Sequence, residues 1–140
     1  MADQPPPRGL IDTSVVIDLE RVAPEALPSE LAVAAVSLAE LAAGPHATAD
    51  ATERARRQER LQRAEATFDA IPFDVSAARA YGRLYAEIAC GGRKTGGRRA
   101  IDLMIAATAL AAELPLYTRD ATDFSGLEAL IDVTAVPAAN

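Results

Sequence analysis

The chain has 140 residues, half of them apolar and about a quarter charged, with a net charge of −6; that is enough sequence for one buried core and too little for two ordinary domains. A single cysteine, Cys90, excludes an internal disulfide, a thiolate zinc site and a CxxC redox pair, while a single histidine, His46, excludes a two-histidine acid–base mechanism and a histidine-rich metal cage. The acidic balance argues against broad attraction to nucleic acid, so any such contact must be local.

The proline-rich start, residues 1–7, reads as a loose, disordered tail, with neither the basic opening nor the apolar run of a signal peptide. Gly9-Leu10-Ile11-Asp12 then reads as a short buried strand running into Thr13-Ser14 and an apolar helix. Residues 31–36 repeat the pattern, and Ser37-Leu38-Ala39-Glu40 has the S-x-x-E spacing of a capping box at a helix start. Gly44-Pro45 ends that helix and leaves His46 in a loop. Residues 49–70 predict a long exposed helix with one buried stripe, Ala51, Ala55, Leu61, Ala64 and Phe68. Its arginines, Arg54, Arg56, Arg57, Arg60 and Arg63, alternate with Glu53, Glu59 and Glu65, the pattern of a solvated, self-paired face.

A short strand is expected over 70–73, followed by an amphipathic helix over 75–90 that buries Ala78, Tyr81, Leu84, Tyr85 and Ile88 and closes at Gly91-Gly92. Residues 91–99 read as a flexible basic loop, and 100–113 as a central helix, apolar on nearly every side. Leu116-Tyr117-Thr118 is a further strand, 119–124 its exit loop, 126–130 a short helix and 133–136 a last strand. Strands alternating with helices predict one α/β domain, residues 8–140, around a mostly parallel sheet. The longest apolar stretches, 31–43 and 100–112, are short and each holds an acid, so no membrane span is expected and the protein is read as cytoplasmic.

Four acids stand where an apolar segment gives way to a turn or helix: Asp12, Glu40, Asp102 and Asp120. A parallel sheet would carry Asp12, Glu40 and Asp120 to its carboxyl edge, where open α/β folds bind ligands. Asp102 begins an otherwise apolar helix, a costly place for a carboxylate without a partner. Crowded carboxylates repel and raise one another's pKa unless a hard, oxygen-preferring cation neutralises them, which points to Mg²⁺, with Mn²⁺ as substitute. Each acid also has a plainer role open to it. Asp12 can cap the helix from Thr13, Glu40 can serve the capping box, Asp102 can complement a helix dipole or pair with Arg98 or Arg99, and Asp120, like Asp123, can serve a turn.

The motifs Leu10-Ile11-Asp12-Thr13-Ser14-Val15, Ser37-Leu38-Ala39-Glu40-Leu41, Ala100-Ile101-Asp102-Leu103-Met104-Ile105-Ala106-Ala107 and Leu116-Tyr117-Thr118-Arg119-Asp120, with Asp123-Phe124 after, together resemble PIN-domain ribonucleases, particularly VapC toxins, from about residue 8 to 136. The resemblance implies a three-layer α/β/α domain, an acidic Mg²⁺ or Mn²⁺ site, endonucleolytic cleavage of RNA, a cognate VapB-like antitoxin and a homodimer. It carries Asp12, Glu40 and Asp102 over as the family's most regular acids; Asp120 matches a position that is Asp or Asn, with Asp123 the nearby alternative.

On that reading Asp12 and Asp102 ligate the principal metal, and Glu40 and Asp120 complete the shell directly or through water. Thr13, Ser14 and Thr118 are candidates to bond a metal water or phosphate, or else serve turns and caps. Arg93, Lys94, Arg98 and Arg99, just before Asp102, are the candidates to offset the acids and contact phosphate. A phosphatase of the haloacid dehalogenase type is disfavoured because residue 14 is serine where that family needs a second Asp. A degenerate module that binds RNA or protein without cleaving it is the remaining alternative.

Overall fold

The computed structural model describes residues 7–139. Four short strands, β1 (Arg8–Ile11), β2 (Glu30–Ala32), β3 (Leu116–Thr118) and β4 (Val133–Ala135), pair in parallel in the order β2-β1-β3-β4. Five α-helices pack around them: α1 (Thr13–Ile17), α2 (Ala35–Ala43), α3 (Ala51–Thr67), α4 (Val75–Cys90) and α5 (Arg98–Ala111). Successive strand residues point to opposite faces, so neighbours in sequence join different cores. Leu10 and Leu116 pack with Leu84, Ile88, Leu103 and Ile105 of α4 and α5. Ile11 and Tyr117 pack with Val15, Val16, Leu41 and Ala64 of α1, α2 and α3. Burial on both faces is why these strands read as continuous apolar runs rather than alternations. The result is the expected three-layer α/β/α arrangement, a parallel sheet between two layers of helices.

From β1 the chain reaches β2 on one side and later returns as β3 on the other. The strand order therefore reverses between β1 and β3, and the carboxyl ends of strands at such a switch point are where open α/β sheets form a ligand-binding crevice. Asp12 leaves β1 there, its N–H bonded to the Tyr117 carbonyl at 3.0 Å, and Arg119-Asp120 leaves β3 alongside.

Several local expectations change. Helix α2 begins at Ala35, with Ala34 as an N-cap that offers no side-chain bond, so the capping box from Ser37 to Glu40 does not form. Ser37 lies instead inside the first turn, fully buried. The strand expected over 70–73 shrinks to one bridge, Ile71 with Ala34, tied by Ala35 N–H to Ile71 O at 2.8 Å and Ile71 N–H to Val33 O at 2.9 Å. Pro72, lacking an N–H, stops it from growing. Helix α5 starts two residues early, taking Arg98 and Arg99 out of the basic loop into its first turn after Gly97, whose φ of 62° suits glycine. The helix expected over 126–130 is a run of turns, and a 3-10 turn, Ala121–Phe124, occupies the exit loop after β3.

The tail expected over 1–7 lies, except for Pro7, outside the described residues. Pro7 itself is held, its carbonyl accepting from Glu30 N–H and Ser29 Oγ, both at 2.8 Å. The self-pairing expected of the α3 arginines holds in part: Arg56 and Arg57 pair with Glu53 and Arg63 with Glu59, while Arg63 also reaches Glu20 outside the helix and Arg54 donates to the Pro45 and Thr48 carbonyls. Among the described residues no helix is long and apolar enough to cross a membrane.

Candidate active site

Asp12 serves two ends at once. It is the N-cap of α1, its carboxylate accepting from Val15 N–H at 3.1 Å and from Ser14 Oγ at 2.5 Å. It is also buried, 5 % exposed, and burial pushes its pKa up against the opposing hydrogen bonds of Ser14, Thr118 and the Val15 N–H. Desolvation outweighs these and the Ser14 backbone N–H together, so the cap alone does not satisfy this charge. Ser14 Oγ in turn accepts from Arg119 N–H at 3.0 Å, which locks the exits of β1 and β3 together.

Glu40 reaches the same crevice from α2. Its Oε1 lies 2.5 Å from Thr13 Oγ1, which also lies 2.9 Å from Ser37 Oγ. Asp102 stands half-buried on α5, and its pKa is pushed up to about 6. Burial is the main cause; repulsion from Asp123 follows, Arg98 opposes it, and Glu40 and Asp12 add further repulsion. Asp12 at the start of α1, Glu40 of α2 and Asp123 of the turn after β3 therefore all act on the Asp102 carboxyl group.

Asp120 is placed differently. It is exposed and caps the 3-10 turn, accepting from Thr122 N–H at 3.1 Å and Thr122 Oγ1 at 2.5 Å. The acid of this segment that acts on Asp102 is Asp123. The spacing Asp-x-Thr, an aspartate able to bond two residues ahead, was the signal in the sequence for that local role. Thr118 is fully buried between them, its hydroxyl accepting from Asp120 N–H at 3.1 Å while lowering the Asp12 pKa.

The basic residues divide in the same way. Arg98 faces Asp102 electrostatically. Arg99 does not project freely: its guanidinium donates to the carbonyls of Asp123 and, at 2.8 Å, of Ser125, stapling α5 to the 3-10 turn. Arg93 lies over Gly126, where a Cβ would meet its Nη1. Arg93, Lys94 and Arg99 with Thr122 and Ser125 line a shallow open depression. Arg119 was not singled out from the sequence, yet its side chain is largely covered, 3.4 Å from Asp18 and bonded to the Val136 carbonyl at 3.0 Å.

Every donor facing the crevice is oxygen, as a hard cation requires. Among the described residues no three acids lie within common ligating reach of one ion. The repulsion felt at Asp102 is nonetheless what a cation would relieve, and Mg²⁺ commonly keeps several waters between itself and a few carboxylates. The residues fit such an ion held partly through water.

The family model described as PIN domain matches residues 9–129. The chain is 39% identical over 134 residues to Ribonuclease VapC5 of Mycobacterium tuberculosis, covering 94% of this chain and 96% of that one. The crystal structure of VapBC-5, a toxin-antitoxin system of M. tuberculosis, matches with a TM-score of 0.80 at 36% identity, covering 93% of this chain and 98% of the other. FitAcB from Neisseria gonorrhoeae matches at 0.70 with 26% identity, over 89% and 95% of the two chains. The chain belongs to the PIN-domain family and, within it, to the VapC proteins.

Proposed function

We propose that this protein is the toxin of a VapBC-type pair, a Mg²⁺-dependent endoribonuclease whose activity a VapB-like antitoxin restrains. Support comes from a relative named a ribonuclease and from solved relatives described as toxin–antitoxin systems. The observation that carries the reading is the crowding at Asp102: burial, Asp123, Glu40 and Asp12 together hold its pKa at about 6. A structural helix residue has no use for that cost; a cation ligand does.

Asp12 and Asp102 would hold the ion, with Glu40 beside them and the last place falling to Asp120 or Asp123, of which the repulsion at Asp102 favours Asp123. When bound, the ion supplies an activated water and stabilises charge on the phosphate. The chain's own residues orient the rest. Ser14 and the Val15 N–H aim the Asp12 carboxylate, and Arg99 fixes the turn that bears Asp123. Arg93, Lys94 and Arg98 supply the local positive charge that an RNA phosphate needs beside acids on a chain of net charge −6. A single cytoplasmic domain over residues 8–140 that forms a homodimer completes the proposal.

The degenerate, non-cleaving reading rests on one observation, the lack of three acids in common reach of an ion among the described residues. Cleavage of RNA by the purified protein separates the two. With Mg²⁺ the protein cuts RNA, while Asp12→Asn and Asp102→Asn, purified identically and still folded, do not. Undiminished cutting by either variant defeats the proposal.

A further inference from the structure

Ser37 is fully buried, polar, and serves no cap, because α2 starts from Ala34. Its hydroxyl lies 2.9 Å from Thr13 Oγ1, and Thr13 Oγ1 lies 2.5 Å from Glu40 Oε1. Thr13 has one hydroxyl proton, and an ionised carboxylate can only accept. Thr13 must therefore donate to Glu40. Its contact with Ser37 is then served by the Ser37 proton, which gives a one-way chain: Ser37 O–H donates to Thr13, and Thr13 O–H donates to Glu40. A chain ending on a charge is strengthened at each link, because the first bond polarises the second.

The chain has a geometric consequence. Ser37 and Glu40 sit one turn apart on α2, whereas Thr13 is the first residue of α1 and follows Asp12 directly. A glutamate has three rotatable bonds and would otherwise sample solvent; the two hydroxyls hold it against the N-terminus that Asp12 caps. We infer that Ser37 and Thr13 are positioning residues, a buried two-hydroxyl relay that holds Glu40 toward the cation site. The inference deepens the metal-site reading and rests on it for what Glu40 is positioned to do. It also removes Thr13 from the residues free to contact phosphate.

Two measurements test it. Urea unfolding in EDTA, through a double-mutant cycle of Thr13→Val with Glu40→Gln, should give a coupling of about tenfold in the folding equilibrium constant, the scale of one hydrogen bond to a charge. Ser37→Ala should matter in the wild-type background and become silent once Thr13→Val is present, since its only route to Glu40 is through that hydroxyl. Additive effects overturn the relay. Calorimetry with Mn²⁺ then separates positioning from mere packing. Thr13→Val should weaken Mn²⁺ binding about tenfold, the usual scale for a residue that orients a ligand, and Thr13→Ser should restore most of it.

Unchanged Mn²⁺ affinity in Thr13→Val, while Asp12→Asn loses binding, overturns the positioning role and leaves the metal site standing. A wild-type protein that binds no Mn²⁺ overturns the metal-site reading, and the cycle in EDTA still decides whether the relay exists.

Discussion

Replacing Asp102 by asparagine should stabilise the metal-free protein, contrary to the usual effect of altering a half-buried residue. The Asp102 pKa rises from 3.8 to about 6 on folding, and one unit is worth about 1.4 kcal/mol, so the ionised form costs at most on the order of 3 kcal/mol. The carboxyl group is partly open to solvent, which screens it, and about 1–2 kcal/mol is the realistic gain at pH 7.5. Because the native carboxyl keeps its proton to higher pH than the unfolded one, the native state binds more protons between about pH 4 and 6. Stability therefore falls as pH rises through that window, and the penalty is complete above it. In EDTA, Asp102→Asn should melt about 3–8 °C above the wild type at pH 7.5 and the two should converge near pH 4. Added Mn²⁺ should reverse the order, since only a state that binds the ion gains from it. A variant that melts lower than the wild type in EDTA at pH 7.5, or a difference that does not shrink toward pH 4, refutes the assignment of that shift to burial and neighbouring acids.

Asp123→Ala should lower the Asp102 pKa measured by NMR titration, because it removes the strongest repelling charge, while Asp120→Ala should leave it nearly unmoved; the reverse order would return the fourth place to Asp120. Arg99→Ala strips two carbonyls of a charged donor and should cost about 1–3 kcal/mol in urea unfolding, with a loss of RNA cleavage that Arg99→Lys only partly recovers. At Gly9 an added Cβ would lie 2.5 Å from Tyr117 Cε1 and 2.9 Å from Pro28 Cγ. Gly9→Ala should accordingly destabilise by about 1–3 kcal/mol through forced displacement of a core ring, read by thermal melting.

What was legible in the sequence followed from short-range physics. The runs at 9–11 and 116–118 are apolar because both faces of β1 and β3 are buried, and the pairing of these strands brings the backbone at Asp12 beside the exit of β3. Asp102 stood out because its helix is otherwise apolar. The less legible parts depended on contacts between distant segments. Ser37 has the spacing of a cap, and only the packing of α1 on α2 shows its hydroxyl turned to Thr13, 24 residues away. Arg99 looked like one of four loop cations; its partners are backbone carbonyls of residues 123 and 125, which carry no mark in a sequence. The ranking of Asp123 over Asp120 likewise turns on where a 3-10 turn directs each carboxylate.

We propose that Asp12 at the exit of β1, Glu40 of α2, Asp102 of α5 and Asp123 of the turn after β3 serve one cation. Anomalous diffraction from crystals grown with Mn²⁺ tests it most directly. A peak is expected between the Asp12 and Asp102 carboxylates, with Glu40 and Asp123 beside it or linked through water. A saturating Mn²⁺ soak that shows no peak there, in a protein that still cuts RNA, would contradict it.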